Sequence, residues 1–282
     1  MKSPTVIHHG GADGVTGSCH RLMASERHHI LVDCGIFQGE DAGSDSLAQH
    51  QVRFDLDRVR ALVVTHVHID HVGRLPYLLA AGFTGPVICT PPSALLLPLV
   101  IEDALKVGFT RNARLIAQVK AQMQRQIVAL PYKEWHSVVD APDLNLKVRF
   151  QRAGHILGSA YVEVDTQYPE CPLPKPHRTV FSGDLGAPNA PLLPAPKSPY
   201  RADTLVIEST YGNRVHENRK TRKARLRQAI ELALENRGTV LIPAFSIGRT
   251  QELLYELEGL LASNALCRRG VPTPNGPAGP LS

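Results

Sequence analysis

The stretch THVHIDHVG, residues 65–73, places three imidazoles and a carboxylate within six positions: His66, His68, Asp70 and His71. The apolar run before it indicates a buried strand, so the cluster follows a strand end. Because alternate residues of an extended chain point the same way, His66 and His68 share a face, and a following helix would place Asp70 and His71 beside them. Imidazoles with a carboxylate suit a borderline divalent ion such as zinc. The spacing predicts a metal site rather than a run of surface histidines.

Two further motifs offer ligands from other strand ends. His155 lies in AGHILGSA, residues 153–160, and Asp184 lies in FSGDLG, residues 181–186. Glycines flank both side chains and would let the backbone approach closely. Each residue alone is also consistent with an ordinary loop histidine or turn aspartate, so only their combination with the cluster at 65–73 indicates a metal site.

The first part of the chain alternates short apolar runs with glycine-rich turns, which is typical of an α/β fold. Strands are predicted in TVIHHGG, HHILVDCG, RALVVTHVH, GPVICT, LKVRFQ, SAYVEVD and RTVFSGD. Helices are predicted in VGRLPYLLAAG and in a long stretch from Pro98 to about Val128. Titratable residues collect at the strand ends, where open α/β sheets place their sites.

A proline-rich passage, residues 186–203, predicts a connection to a second α/β unit. That unit is expected to run through strand TLVIEST, helix TRKARLRQAIELALENRG with Gly238 as its C-cap, strand TVLIPAF and helix SIGRTQELLYELEGLLAS. The expected domains are residues 1–205 and 206–269. They are followed by a disordered Gly/Pro-rich tail at 270–282.

Composition narrows the function classes only slightly. The 282 residues are 43% hydrophobic, enough for a sizeable core, and carry a net charge of +5. A mildly basic balance permits a polyanionic substrate without requiring one. The five cysteines are scattered and form no CxxC pair, which disfavours a disulfide framework and favours a cytoplasmic location. The N-terminus lacks a signal-peptide pattern, and no membrane partner is expected.

Taken together, HxHxDH, the glycine-flanked histidine and SGD resemble the metallo-β-lactamase superfamily. Asp33 in LVDCG, residues 31–35, matches an acidic motif that supports the metal site in that superfamily. The resemblance implies an αβ/βα sandwich with two metal ions. His66, His68 and His155 would hold the first ion, Asp70 and His71 the second, and Asp184 would bridge the two.

The second unit resembles the β-CASP branch of nucleic-acid-processing enzymes. VIESTYGNR (206–214) and IPAFSIGRTQELL (242–254) carry this resemblance, and GVTGSCH and GIFQG are similar to bacterial RNA-directed members. The implied function is a zinc-dependent ribonuclease acting on single-stranded RNA, with DNA left open. Asp70 would orient the attacking water, and Glu208 would assist the leaving group.

The sequence evidence for substrate-binding residues is less specific than that for the metal ligands. Residues 214–227 are strongly basic, and Arg249 lies at a predicted helix start, where an arginine and backbone amides suit a phosphate. We therefore predict that Arg214 and Arg249 contact nucleic-acid phosphates, although a solvated helical face explains the same charges. A homodimer is a further open prediction.

Two other functions remain open. A small-molecule metallo-hydrolase, such as a thioesterase, would share the metal ligands without needing STYGNR or GRTQEL. A truncated, catalytically impaired member would bind only RNA or a partner. The resemblance implies further strands and one more histidine ligand beyond the GRTQEL helix. The only histidine after Asp184 in the sequence is His216. We therefore expect an incomplete second zinc site and exposed apolar surface.

Overall fold

A computed structural model describes residues 3–42, 50–170, 175–188, 190–215 and 221–262. The chain divides into two compact units, the first ending at Thr210 and the second beginning at Tyr211. The expected α/β class is confirmed, since the first unit combines two β-sheets with helices. The expected tail at 270–282 and His216 lie outside the described residues.

The first sheet has six strands in the order of the sequence. They are β1 (Thr5–His8), β2 (His20–Met23), β3 (His29–Val32), β4 (Val59–Val63), β5 (Val87–Cys89) and β6 (Ile127–Ala129). β1, β2 and β3 are antiparallel, whereas β3 to β6 run parallel. The carboxyl ends of β3 and β4 therefore meet at one edge of the sheet.

The second sheet has five strands in the spatial order β11, β10, β9, β8, β7. They are β7 (His136–Ala141), β8 (Leu144–Arg152), β9 (Ala160–Gln167), β10 (His177–Phe181) and β11 (Thr204–Val206). Neighbouring strands are antiparallel except β10 and β11, which are parallel. The parallel pair brings the chain after Phe181 beside the chain after Val206.

The two sheets pack face to face around one apolar core. Alternate residues of each strand enter this core, as expected for the two-residue period of a strand. The first sheet contributes residues such as Ile30, Val32, Ala61 and Val63, and the second contributes Leu146, Val148, Phe150, Val162 and Val164. The expected sandwich of two sheets is therefore present.

Helices cover the other face of the first sheet. They are α1 (Ile69–Val72), α2 (Leu75–Ala80), α3 (Pro91–Gly108) and α4 (Ala113–Gln126). Leu31 and Leu62 alternate with the sandwich residues and are fully buried, as are Leu75, Leu97 and Met123 from the helices. No helix among the described residues is both long and apolar enough to span a membrane.

The outer face of the second sheet is polar. Glu163 is 1% exposed in its side chain, and its Oε2 lies 2.6 Å from Nη2 of Arg149. Arg178 makes paired hydrogen bonds of 2.7 Å to Asp165. The Trp135 ring lies against both guanidinium groups, 4.3 Å from that of Arg149 and 5.1 Å from that of Arg178. Charge pairing and cation–π contacts therefore satisfy this face.

The second unit contains the helices α5 (Arg222–Glu235) and α6 (Arg249–Ala262). They are linked by an ion pair of 3.1 Å between Arg222 and Glu256. α5 ends in a Schellman motif, in which Gly238 N–H donates to the Ala233 carbonyl at 2.7 Å. The C-cap is Asn236 and the left-handed residue after it is Arg237, with φ 49°, so the prediction that Gly238 is the C-cap was wrong by two residues.

Three other secondary-structure predictions can be compared with the structure, and two of them were wrong. The stretch from Pro98 to about Val128 is helical as predicted only as far as Gln126, in two helices, and β6 begins at Ile127; Asn112 begins the second helix by accepting hydrogen bonds from two backbone amides. TVLIPAF is not a strand, since it has no strand partner among the described residues. TLVIEST does not open the second unit, because its residues Thr204–Val206 pair with β10 in the first.

Candidate metal centre

The candidate ligands come from three strand ends. β4 ends at Val63, and the chain then carries His66 and His68 in an extended segment before α1 begins at Ile69. Asp70 and His71 lie on α1, as the motif predicted. His155 follows β8, and Asp184 follows β10. The structure brings all six predicted ligands together in two groups that share Asp184.

The first group contains His66, His68, His155 and Asp184. Nδ1 of His68 lies 3.2 Å from Nε2 of His66 and 3.0 Å from Nε2 of His155. Oδ2 of Asp184 lies 3.4 Å from Nε2 of His155 and 3.8 Å from Nε2 of His66. Three imidazole nitrogens and one carboxylate oxygen therefore converge on one point.

The second group contains Asp70, His71 and Asp184. Nε2 of His71 lies 3.2 Å from Oδ1 of Asp184 and 3.7 Å from Oδ2 of Asp70. The two carboxylate oxygens of Asp184 thus face different groups. This is the arrangement that a bridging ligand needs.

The donor set fits a zinc ion. Ligands at about 2.0–2.1 Å from a tetrahedral zinc lie about 3.3 Å from one another. The atoms of the first group are 3.0–3.8 Å apart along the contacts given above, close to that spacing. The second group offers three protein donors among the described residues, so it could hold an ion with water in the remaining positions.

Asp33, predicted to support the metal site, contacts Thr65 and the candidate ligand His71. Its carboxylate accepts hydrogen bonds of 2.8 Å from both the backbone amide and the hydroxyl of Thr65. The same carboxylate lies 2.7 Å from Nδ1 of His71. This contact fixes the ring so that Nε2 faces Asp184, the usual role of a carboxylate behind a ligating histidine.

Burial and neighbouring charge separate the pKa values of the group. Burial lowers the pKa of His66 well below its usual range, and the nearby imidazoles act in the same direction. Burial alone would also lower the pKa of His71, but the carboxylates of Asp33 and Asp184 outweigh it and raise that pKa. Burial raises the pKa of Asp70. A neutral His66 is the form that can donate a lone pair to a metal.

Glycine at position 183 is required by close packing. A Cβ there would lie 2.7 Å from the Cβ of Thr65, and Gly183 has φ 51°. A side chain at this position would therefore both strain the backbone and push Asp184 away from the histidines.

Glu208 lies near the centre but does not join either metal group. Its Oε1 accepts a hydrogen bond of 2.7 Å from the Leu185 backbone amide, next to Asp184. Its own amide donates to Oγ of Ser182 at 2.9 Å. The structure therefore connects Glu208 to the loop that carries Asp184.

The two predicted phosphate contacts both lie in the second unit. Arg214 is exposed. Arg249 begins α6, as predicted, and its guanidinium is 3.0 Å from the Glu252 carboxylate. Their role toward nucleic acid stays a prediction.

Two supporting residues were not assigned a role from the sequence. Thr65 bonds Asp33 and also lies 3.1 Å from Nδ1 of His66, and Ser182 accepts the Glu208 amide. Both are immediate neighbours of the motifs, Thr65 before HxHxDH and Ser182 within SGD. Their hydroxyl side chains, next to or within a ligand motif, were the sequence feature that could have indicated a supporting role.

The chain is similar in sequence to named proteins of other organisms. The chain is 37% identical over 253 residues to Ribonuclease TTHA0252 of Thermus thermophilus, covering 89% of this chain and 54% of the relative. It is 33% identical to Transcription termination factor FttA of Methanosarcina mazei, covering 88% and 38%. It is 32% identical to an RNase J-like protein of Methanocaldococcus jannaschii, covering 94% and 56%. The chain thus spans about half the length of these relatives, or less.

The family model of the metallo-beta-lactamase superfamily matches residues 21–229. This range includes every residue of the two candidate metal groups. Members of the superfamily bind metal ions, and the convergence of His and Asp side chains at three strand ends is consistent with that. The chain belongs to the metallo-beta-lactamase superfamily.

Proposed function

We propose that the chain acts as a zinc-dependent phosphodiester hydrolase on RNA, within the β-CASP branch of the superfamily. The observation that carries the proposal is Asp184, whose two oxygens face separate donor groups at 3.2 and 3.4 Å. Paired metal sites of this kind serve in-line displacement at phosphate. The printed names of the relatives, ribonuclease, RNase J-like protein and transcription termination factor, support RNA as the substrate class.

Zinc bound at both groups would generate a nucleophile from water near neutral pH and stabilise negative charge developing on the phosphate. The chain's own residues would prepare that reaction. His71, held by Asp33, keeps its Nε2 directed at Asp184. Asp70, whose Oδ2 lies 3.7 Å from Nε2 of His71, would orient the attacking water and accept its proton. Assistance to the leaving oxygen by Glu208 belongs to the same proposal.

The expected substrate is single-stranded RNA, with Arg214 and Arg249 contacting its phosphates. DNA cleavage is an alternative outcome, and a homodimer is part of the proposal. So is a cytoplasmic location, where RNA is available. Free, buried thiols at Cys19, Cys34 and Cys89 are consistent with a reducing compartment.

The test compares zinc-loaded wild type with Asp70→Asn on a labelled single-stranded RNA, a DNA of the same sequence and a thioester. We expect slow, zinc-dependent RNA cleavage that falls by ~10²–10⁴ in the variant, the usual contribution of general acid–base catalysis. RNA binding without cleavage would favour the catalytically impaired alternative. Thioester hydrolysis without RNA cleavage would contradict the proposal.

A variant at Glu208 tests its assignment to the leaving group separately. If Glu208 donates a proton, Glu208→Gln lowers RNA cleavage while the zinc content stays that of wild type. Cleavage as fast as wild type would remove the proton-transfer role.

A further inference from the structure

On the N-terminal side of Asp184, the loop that carries it is hydrogen-bonded to the end of β11 and the chain after it. Ser182 N–H donates to the Val206 carbonyl at 2.9 Å, which extends the parallel pairing of β10 and β11 by one bond. The Glu208 amide then donates to Oγ of Ser182 at 2.9 Å. The residue two positions before Asp184 is therefore fixed by two hydrogen bonds.

The second side of the loop is held by the Glu208 carboxylate. Its Oε1 accepts the Leu185 amide at 2.7 Å, directly after Asp184. The next residue, Gly186, donates its amide to the Ala153 carbonyl at 2.8 Å and so joins the loop to the segment before His155. Between these ties stands Gly183, which is the least restricted residue type and adopts φ 51°.

The tolerance for movement of Asp184 is small. One carboxylate oxygen must lie 3.2 Å from Nε2 of His71 while the other lies 3.4 Å from Nε2 of His155. A small rotation of the backbone at 183–185 would move both oxygens together, because they belong to one planar group. Loss of a tie beside a flexible glycine should therefore disturb both donor groups.

We propose that Glu208 is a positioning residue, whose side chain holds the Leu185 amide and thereby sets Asp184 for both metal groups. This rests on the proposed metal site and adds a role that proton donation alone would not require. This hydrogen bond is half-buried, and its length of 2.7 Å is at the short end of the usual range for an N–H···O bond. Glutamine keeps an acceptor oxygen at the same reach, whereas alanine removes it.

The first readout is zinc affinity, measured by competition with a chromophoric chelator for wild type, Glu208→Gln, Glu208→Ala and Glu102→Ala. Glu102 is a matched control, because it bonds Lys106 and Lys120 on the helices and contacts neither donor group. We expect Glu208→Ala to weaken zinc binding ~10–100-fold, as is typical when an outer partner of a metal ligand is lost. Glu208→Gln should stay within about threefold of wild type, as should Glu102→Ala.

The second readout is hydrogen exchange of residues 183–187 in metal-free protein. The Leu185 amide should exchange faster in Glu208→Ala than in wild type. In Glu208→Gln it should stay protected, as in wild type. Unchanged exchange in β8 and β9 would show that the variants are folded. The proposal is overturned if Glu208→Ala matches wild type in both readouts, or if Glu208→Gln is as impaired as Glu208→Ala. Because neither readout uses RNA, failure of the RNA-hydrolase proposal would be seen separately.

Discussion

Asp33 shows how one residue can support the centre without joining it. It has φ 62°, in the left-handed region that aspartate tolerates better than most residues. Two hydrogen bonds from Thr65 and one contact with His71 fix its carboxylate there. LVDCG indicated an acidic supporting residue at this position. The hydrogen bonds of its carboxylate could not be predicted, because Thr65 lies 32 residues away in the sequence.

The six candidate ligands could be recognised in the sequence because their motifs are local and each follows an apolar strand. The link from Glu208 to Leu185 was not, because it depends on the parallel pairing of β10 and β11. The sequence placed that last strand in a different unit. Short motifs therefore identified which side chains meet, whereas strand pairing decides which residues hold them.

His20 should make stability depend on pH. It lies in β2, with Nδ1 2.8 Å from Nδ1 of His8, and burial lowers its pKa to about 4. The folded state thus keeps His20 neutral, whereas the unfolded chain takes up a proton near its usual pKa of about 6.5. His20 therefore leaves the free energy of unfolding unchanged above pH 6.5 and lowers it as the pH falls toward 4.

The measurement is urea unfolding of wild type and His20→Gln at pH 7.5 and pH 5. Wild type should lose more free energy of unfolding between these pH values than the variant does. The difference should be about 1–2 kcal/mol, allowing for partial solvent access. An equal loss in both proteins would show that His20 does not titrate differently on unfolding.

Among the elements, α1 depends on Gly35. A Cβ at Gly35 would overlap the carbonyl group of Asp70, because residues 34–36 run against the backbone of α1. Two hydrogen bonds document this packing, Cys34 N–H to the His71 carbonyl at 2.8 Å and Ile36 N–H to the Ile69 carbonyl at 3.1 Å. The helix that carries two ligands is therefore positioned by a glycine in a neighbouring loop.

Gly35→Ala should destabilise the protein by about 1–3 kcal/mol, the usual cost of forcing an extra group into a packed site. It should also weaken zinc binding by displacing Asp70 and His71. Gly108→Ala is the matched control, since nothing lies within 4 Å of a Cβ there. We expect it to be neutral or to stabilise α3 by about 0.5–1 kcal/mol. Chemical denaturation with zinc analysis tests both, and equal behaviour of the two variants would contradict the packing argument.

Elements were predictable where the apolar period was strong and a partner was near in sequence. β8, β9 and β10 lie where the segments LKVRFQ, SAYVEVD and RTVFSGD predicted strands. β2, β6 and β7 were missed because they are short or weakly alternating. TVLIPAF has the composition of a buried strand, but composition alone supplies no neighbouring strand to complete the hydrogen bonds.

At the scale of the whole molecule, the two units differ in which side chains they expose to solvent. The first unit covers its second sheet with ion pairs and Trp135. The second exposes large apolar side chains in one segment, with Leu241 87% and Phe245 72% exposed. Large apolar side chains exposed close together in the sequence favour association.

We expect wild type to self-associate with rising concentration. Replacing Leu241 and Phe245 together by glutamine should reduce that association. Val107→Gln is the control, because Val107 is 83% exposed but lies at the end of α3 in the first unit. Sedimentation velocity would show the change. A wild-type monomer at all concentrations would contradict the expectation.

A zinc titration by equilibrium dialysis tests most directly whether the two metal groups share Asp184. Wild type should bind nearer one zinc than two at low concentration, because one group offers four protein donors and the other three among the described residues. His68→Ala should lose most of the tight site and keep the weak one, whereas Asp184→Ala should weaken both. Zinc binding by Asp184→Ala that equals wild type, or loss confined to one site, would contradict a shared ligand.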